Sequence, residues 1–266
     1  MQNLPAERRL IVTADDVGLH PGMTAGAIRA HREGIVTACS VVANGAAFDD
    51  AVARLREVPS LEVGVHLTLV EERPLTAIRF PKKYTSFVPL YLARAITIVA
   101  IERELRAQVE RVLATGLHVT HLNGHQHLHL LPRIFAVVAR LAREYSIPYV
   151  RIVDDYGGSA RLLPMRFLSA LGRRACGPFT NDRTVGVASA GHLDDVVPLL
   201  EHVEGVTELV THPGVGVSGY DWAYDWEQET AALCAPRLRE ELARRGIELT
   251  RPSEATPWSG VSASGS

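Results

Sequence analysis

Short apolar runs alternate with longer amphipathic segments along most of the chain. Six runs rich in apolar or β-branched residues occur at 10–14, 39–44, 62–69, 118–124, 149–153 and 208–212. Such runs are typical of strands buried on both faces of a parallel sheet. The segments between them space their apolar residues as helices do, with candidates at 22–33, 46–58, 101–115, 132–145 and 223–245.

This repeated alternation of strand and helix predicts an α/β fold with a parallel sheet, open or closed into a distorted (β/α) barrel. We expect one domain over residues 1–255. Residues 71–100 and 154–191 interrupt the rhythm with several prolines or glycines, and we expect them to be insertions over one face, where binding loops of such folds lie. The Ser- and Gly-rich stretch 256–266 is expected to be a disordered tail.

The charge, the apolar stretches and the cysteine content of the chain disfavour several classes of protein. Lys and Arg number 28 against 30 acidic residues, and the basic residues are spread along the chain, so nucleic acid is not an expected partner. The longest apolar stretch, 88–101, contains Arg94 and is shorter than the roughly 20 residues that a membrane span needs. Three separated cysteines and the absence of a visible secretory signal favour a cytoplasmic protein with reduced thiols.

Polar residues of unusual kind occur at or near the ends of the predicted strands. In chain order they are Asp15, Asp16, Asn44, His66, His121, Asn123, His125, Arg151 and His212. The carboxyl ends of parallel strands converge on one rim of an α/β fold, so residues distant in sequence meet there. The sequence therefore predicts a functional site at this rim.

Asp15 and Asp16 place two carboxylates side by side after an apolar strand, which favours a neutralising metal ion. Successive residues of an extended segment point in opposite directions, so we expect one to bind the ion while the other faces a neighbouring pocket. The alternative is that one of them caps the following helix.

Histidines supply the other candidate ligands. His66 lies in an otherwise apolar strand, and His125, His127 and His129 alternate, so they would share one side if that segment were extended. A lone buried histidine is more often a hydrogen-bonded core residue, but clustered imidazoles indicate a metal. One carboxylate and two imidazoles, with water at open positions, would form a catalytic site that suits Zn²⁺ or another transition ion better than Mg²⁺.

Such an ion would favour amide hydrolysis, which also needs a proton acceptor and a proton donor. Asp15 is the natural base, and His212 is a reasonable acid, although the sequence His-Pro-Gly could simply begin a turn.

Five motifs together resemble the YdjC-like carbohydrate deacetylase family, which includes the chitooligosaccharide deacetylases. They are TADDVG at 13–18, GIVTACSVVANG at 34–45, GVHLTL at 64–69, THLNGHQHLHLLP at 120–132 and THPG at 211–214. The resemblance implies a distorted (β/α) barrel related to the polysaccharide deacetylases. It also implies removal of acetyl groups from N-acetylglucosamine units with one divalent ion, commonly described as Mg²⁺.

Residue by residue, the resemblance implies Asp16, His66 and His125 as metal ligands, with Asp15 as the base and His212 as the acid. His127 and His129 match the end of the histidine motif and are expected near the pocket. Together with Asn44 and Arg151, they are our candidates for contacts with the substrate.

The stretches 70–75 and 173–193 resemble a subgroup associated with hopanoid biosynthesis, which implies an N-acetylglucosaminyl hopanoid as substrate; chitobiose or a chitooligosaccharide is the alternative. With a lipid-linked substrate, the segment from Lys82 to Arg103 would contact the inner face of the membrane as interfacial helices do, or it is a helix packed on the barrel. A homodimer is a further expectation.

Two other classes use similar residues. A metal-dependent phosphoesterase would need several cations or two metals, and Arg151 is the one strand-end cation. A non-catalytic sugar- or metal-binding protein would have ligands but no need for a base such as Asp15.

Overall fold

A curled parallel sheet forms the centre of the computed structural model, which describes residues 7–154, 163–176 and 180–255. Within this part of the chain the sheet has eight strands. They are β1 (Arg8–Val17), β2 (Ala38–Val41), β3 (Glu62–Leu67), β4 (Val119–Gly124), β5 (Tyr149–Val150), β6 (Arg183–Val185), β7 (Gly205–Thr211) and β8 (Glu248–Leu249). The order across the sheet is β5, β4, β3, β2, β1, β7, β6, and β8 pairs with the start of β1.

The two ends of the sheet approach each other just beyond β5. The backbone N–H of Thr184 in β6 donates to the carbonyl of Asp154 at 3.1 Å. The side-chain amide of Asn181 accepts from the N–H of Ile152 at 3.0 Å and donates to its carbonyl at 3.1 Å. These bonds link the segment that follows β5 to β6 and the residues before it, so the parallel sheet curls into a partly closed, distorted barrel and the predicted α/β fold class is confirmed.

The apolar runs form strands because both faces of the sheet are covered. β1 lies between β2 and β7, and its Leu10, Ile11 and Val12 have no exposed surface. A strand with side chains buried on both sides needs a continuous apolar run rather than an alternating one. β5 is shorter than its predicted run. The N–H of Arg151 still donates to Leu122 of β4 at 2.9 Å, but Ile152 and Val153 leave the ladder while staying buried.

Helices surround the sheet. Those that the structure describes are α1 (Pro21–Arg32), α2 (Phe48–Leu55), α3 (Tyr84–Leu92), α4 (Ile98–Leu113), α5 (Pro132–Glu144), α6 (Leu163–Cys176), α7 (Trp226–Leu233), α8 (Arg237–Arg244) and α9 (Pro252–Ala255). The single helix predicted over 223–245 was wrong, because α7 ends before Pro236 and α8 begins after it. Proline lacks the N–H that a continuous helix would use there, and its ring clashes with the preceding turn.

The first interruption of the rhythm contains its own helix. α3 has a proline inside it and buries Phe87 and Tyr91, while Leu90 and Leu92 stay exposed at 42% and 69%. Glu104 of α4 anchors the loop before α3, because its carboxylate accepts from the N–H of Leu75 at 2.9 Å.

The second interruption includes α6 and β6. Its residues 155–162 and 177–179, like the tail at 256–266, lie outside the described residues. In the described chain, no helix has both the length and the apolarity that crossing a membrane requires.

Candidate metal centre and active site

Asp15 and Asp16 lie at an irregularity in β1. The register between β1 and β2 shifts between Ala14 and Val17, and Asp16 has a φ of 63°, in the left-handed region. Both aspartates therefore line one cavity of about 220 Å³, and the expectation that they face different pockets was wrong. A bulge re-aims side chains beside functional sites in this way, and the strained φ is of the kind that concentrates there.

Asp16, His66 and His125 form a buried cluster at the rim. One Asp16 oxygen, Oδ1, lies 3.3 Å from His66 Nε2 and 3.1 Å from His125 Nδ1. The candidate ligand atoms of the three residues all lie within 4.8 Å of one another. Their strands are far apart in sequence and meet because they are parallel and end at the same rim.

A hydrogen bond on the far side of the His66 ring fixes which of its two nitrogens faces Asp16. His66 Nδ1 donates to Asn123 Oδ1 at 2.7 Å, since the amide nitrogen of Asn123 donates to Asp15 and Ser40. The lone pair of His66 Nε2 is therefore free to bind a cation. Such partners of the second nitrogen orient metal-binding histidines and fix their tautomer.

The histidine motif does not continue β4 as an extended segment. Residues His125–Leu130 form a 3-10 helix, and Gln126 and His127 have φ values of 52° and 53°. The expectation that alternate histidines share one side was therefore wrong. His127 lines the cavity beside His125, whereas His129 is buried behind it and its Nε2 pairs with the carbonyl of Arg151 at 3.0 Å.

Charge and burial shift the pKa values of this cluster. Burial alone would raise the pKa of Asp16 and lower that of His125, but their mutual attraction and hydrogen bond outweigh burial. The pKa of Asp16 falls well below its usual value, and that of His125, which also bonds to Glu71, rises to about 10. The carboxylate is therefore ionised at neutral pH, as a metal ligand must be.

Asp15 is held by a buried ionic network beneath the cavity. Arg151 donates to both Asp15 oxygens, at 2.5 and 3.0 Å, and to Glu208 Oε1 at 2.7 Å. Thr13 and Tyr149 donate to the Glu208 carboxylate at 2.7 and 2.6 Å. Burial raises the pKa of Asp15, but the charge and hydrogen bonds of Arg151, together with the nearby His66 and His212, outweigh burial and leave the pKa well below its usual value.

Arg151 and Asn44 do not line this cavity. Arg151 has no exposed surface, and its guanidinium faces the Asp15 and Glu208 carboxylates. Asn44 accepts from the Thr68 hydroxyl at 2.6 Å and donates to the Arg73 carbonyl at 3.1 Å, so it joins two loops. The structure thus gives both residues contacts within the protein, and their expected contact with a substrate stays a prediction.

His212 directly follows β7, the strand next to β1, and faces the cluster of Asp16, His66 and His125. Its Nε2 lies 3.9 Å from Asp16 Oδ2, and its Nδ1 lies 4.0 Å from Glu229 Oε1 without a hydrogen-bond partner among the described residues. Glu229 accepts from the His212 backbone N–H at 2.6 Å, which ties β7 to α7. The loop after His212 also packs tightly on α1, since a Cβ on Gly26 would lie 2.4 Å from Gly214.

The family model of YdjC-like protein matches residues 9–244 of the chain. The chain belongs to the YdjC-like family.

YdjC-like relatives span nearly the whole length of this chain. One from Brevibacillus brevis, named carbohydrate deacetylase, is 32% identical over 92% of this chain and 99% of its own. A mouse protein with the same name is 29% identical over 94% and 98%. A crystal structure from Enterococcus faecalis, described as a cellobiose-phosphate cleavage protein, is 23% identical with a TM-score of 0.75 over 93% of this chain and 98% of its own, which shows a shared fold.

The residues of this YdjC-like site fit a divalent ion. One carboxylate and two imidazoles, all buried, converge at a cavity wall, and a carboxylate oxygen and imidazole nitrogens are donors that divalent ions bind. Three protein ligands with open positions for water are typical of catalytic rather than structural sites. The donor set does not select between Zn²⁺ and other divalent ions.

Sequence analysis of this YdjC-like chain missed several residues around the site. Glu71 contacts His125, Glu229 contacts His212, and Glu208 supports Arg151. A charged residue within the apolar run at 208–212 was a signal for Glu208. Alternating aromatics at 220–226 were another: Trp222 stacks on His125 with ring centroids 5.6 Å apart.

Proposed function

We propose that the protein is a metal-dependent carbohydrate deacetylase that hydrolyses the N-acetyl group of an N-acetylglucosamine-type sugar. The observation that carries this proposal is the convergence of Asp16, His66 and His125 within 4.8 Å in a cavity that also exposes the second carboxylate, Asp15. The names of the family relatives support carbohydrate deacetylation as the reaction.

The proposed division of labour follows from the contacts of each residue. Asp16, His66 and His125 would hold the ion, which would supply Lewis acidity at the reacting amide when bound. Asp15 accepts the proton of the attacking water, and its lowered pKa keeps it ionised at neutral pH.

His212 gives a proton to the departing amine, and Glu229 holds the backbone of His212 by accepting from its N–H at 2.6 Å. The protein therefore has an acceptor and a donor on different strands, β1 and β7, facing one cavity. Hydrolysis of an amide needs both, because the amine leaves only after it is protonated.

Arg151 positions Asp15 rather than the substrate in this proposal. It holds both carboxylate oxygens of Asp15, and the bond from Asn123 to Asp15 at 3.0 Å restricts the carboxylate further. A base held within a fraction of an ångström accepts a proton more effectively than a mobile one.

The lining of the cavity disfavours a phosphoesterase. None of the described residues that line it is a lysine or arginine. Transfer of a phosphoryl group usually requires cationic side chains or a second metal to balance the phosphate charge.

The role of Asp15 distinguishes an enzyme from a non-catalytic binding protein. We expect Asp15→Asn to keep the metal and to lose acetate release, whereas Asp49→Asn, the same change at a residue whose side chain is 94% exposed, should match the wild type. Acetate is measured with free N-acetylglucosamine, chitobiose and N-acetylglucosaminyl lipids, each with Zn²⁺, Mg²⁺ and Co²⁺. No acetate from the wild type under any of these conditions would contradict the proposed reaction.

A lipid-linked substrate, such as an N-acetylglucosaminyl hopanoid, is the finer proposal. Apolar side chains of α3 and the start of α4 are exposed, with Leu92 at 69% and Val99 at 64%, beside Lys82, Lys83 and Arg94. Apolar residues flanked by basic ones favour contact with an anionic membrane surface.

Vesicle flotation tests this finer proposal. Wild-type protein and the Leu92→Ser/Val99→Ser variant are floated with anionic vesicles, with neutral vesicles as the control. We expect the variant to lose binding to anionic vesicles and to keep its acetate release from free N-acetylglucosamine. Equal flotation of the two proteins would contradict membrane contact by this segment and leave the deacetylase proposal untouched.

A further inference from the structure

Glu71 contacts the metal cluster from outside it. Its Oε2 lies 3.0 Å from His125 Nε2, the ring nitrogen opposite the one that faces Asp16, and its Oε1 accepts from the Gln126 amide at 3.3 Å. The Glu71 side chain is 28% exposed, while that of His125 is 7% exposed. The carboxylate therefore closes the outer side of a nearly buried imidazole.

The backbone holds Glu71 in an unusual conformation. Its φ is 68°, in the left-handed region, and its N–H donates to the carbonyl of Lys82 at 2.9 Å. A non-glycine residue in this region is uncommon and is kept by its surroundings. The first turn of the insertion after β3 is thereby fixed so that its carboxylate faces the histidine motif of β4.

The contact decides which nitrogen of His125 can bind a cation. A carboxylate can only accept, so Nε2 carries a proton and donates it to Glu71. An ion that binds His125 displaces the proton of Nδ1, and the single proton of the neutral imidazole then stays on Nε2. The lone pair offered to the ion is therefore that of Nδ1, the atom that lies 3.1 Å from Asp16. His66 is set the same way by Asn123, through its other nitrogen.

We propose that Glu71 is a positioning residue for the metal centre, which fixes the ring of His125 and the nitrogen it offers to the ion, and so sets the affinity for the ion. The inference rests on the proposed metal site and extends it to a residue of the insertion. Loss of such an outer partner typically lowers metal affinity about 10- to 100-fold.

Neighbouring Glu72 provides a matched control. It is the same residue type, one position along, and its charge also acts on His125 and Asp16. Among the described residues it forms no side-chain hydrogen bond to the histidine motif, so it controls for the loss of a nearby negative charge. Alanine at position 71 adds no backbone strain, since Glu and Ala both carry a Cβ and meet the same restriction at positive φ. The backbone bond to Lys82 does not depend on the side chain.

The test is a titration of metal-stripped protein with Co²⁺, followed by visible absorption and repeated with Zn²⁺ competition. We expect Glu71→Ala to raise the Kd for Co²⁺ by about 10- to 100-fold. Glu71→Gln should raise it less, because a neutral amide oxygen still accepts from Nε2. Glu72→Ala and Glu72→Gln remove a nearby charge without a hydrogen bond and should raise the Kd less than Glu71→Ala does, and the Tm of each metal-free variant reports on folding.

The possible outcomes distinguish a failure of this inference from a failure of the proposed metal site. Equal Kd values for the wild type and both Glu71 variants would overturn the role of Glu71 while leaving the metal site intact. A fall in the Tm of metal-free Glu71→Ala with an unchanged Kd would also overturn it, because Glu71 would then support only the loop. Absence of Co²⁺ and Zn²⁺ binding by the wild type would remove the metal site itself.

Discussion

Replacement of Arg151 by methionine removes the only charge that balances two buried carboxylates in the described network. Arg151 has no exposed surface and lies 2.5 Å from Asp15 and 2.7 Å from Glu208. Loss of one partner from a buried ion pair costs about 3–5 kcal/mol, because the remaining charge stays buried without compensation. Since two carboxylates lose their partner here, we expect a loss near the upper end of that range.

Urea and thermal denaturation measure this loss. For a domain of this size each kcal/mol lowers the Tm by about 2–4 °C, so a loss of about 5 kcal/mol in Arg151→Met should lower it by roughly 10–20 °C. Arg140→Met is the control, since Arg140 is 51% exposed and pairs with Glu102 at the surface. Such a pair contributes about 0–1 kcal/mol.

The dependence on pH follows from the pKa of Asp15. The folded pKa lies below the unfolded value of about 3.8, so the pair stabilises the fold above that pH and its contribution is lost as the pH falls further. The difference in free energy of unfolding between the wild type and Arg151→Met should therefore shrink below pH 4. A loss of less than 1 kcal/mol at pH 7, or a difference that grows in acid, would refute the reasoning.

Three further predictions concern the site. Removal of the ion with a chelator should abolish acetate release and lower the Tm, and a return of the ion at 100 times its Kd should restore about 2.7 kcal/mol of stability; an unchanged Tm would contradict this. His212→Asn should lower kcat by about 10²- to 10⁴-fold with metal affinity unchanged, as measured by acetate release and Co²⁺ titration; full activity would exclude it as the acid. Asn123→Ala should weaken metal binding about 10- to 100-fold in the same titration, because His66 loses its orienting partner.

Most of the sheet was predictable because its strands are buried on both faces. β1, β3 and β4 coincide closely with apolar runs in the sequence. β6 and β8 were not predicted, because three and two residues are too short to show a pattern. Pro236 marks the break between α7 and α8 in the sequence. The amphipathic spacing continues on both sides of this proline, so the segment was interpreted as one helix.

The residue types of the candidate ligands were predictable from the sequence, but the directions in which their side chains point were not. Asp15 and Asp16 share a cavity because of one left-handed residue in a bulge, which no periodicity of side chains reports. His127 and His129 separate because the chain turns into a 3-10 helix directly after β4. Arg151 meets Asp15 and Glu208 only through long-range packing, which the sequence does not report. Its position at a strand end was the only signal, and that position indicated a substrate contact.

The proposed roles of Asp15, Asn44, His127, His129, Arg151 and His212 stay predictions until variants are measured. The positions of these residues in the structure divide them into two groups, those that line the cavity and those that do not. Asp15, His127 and His212 line the cavity with the proposed ligands, while Asn44, His129 and Arg151 make contacts around it.

The central claim is that Asp16, His66 and His125 hold one ion on which deacetylation depends. The most direct test is a titration of metal-stripped protein with Zn²⁺ or Co²⁺ while acetate release from an N-acetylglucosaminyl substrate is followed. We predict that activity rises linearly and stops at one ion per chain, and that His66→Ala neither binds the ion nor releases acetate. Full acetate release by the metal-free protein, or by His66→Ala, would contradict the claim.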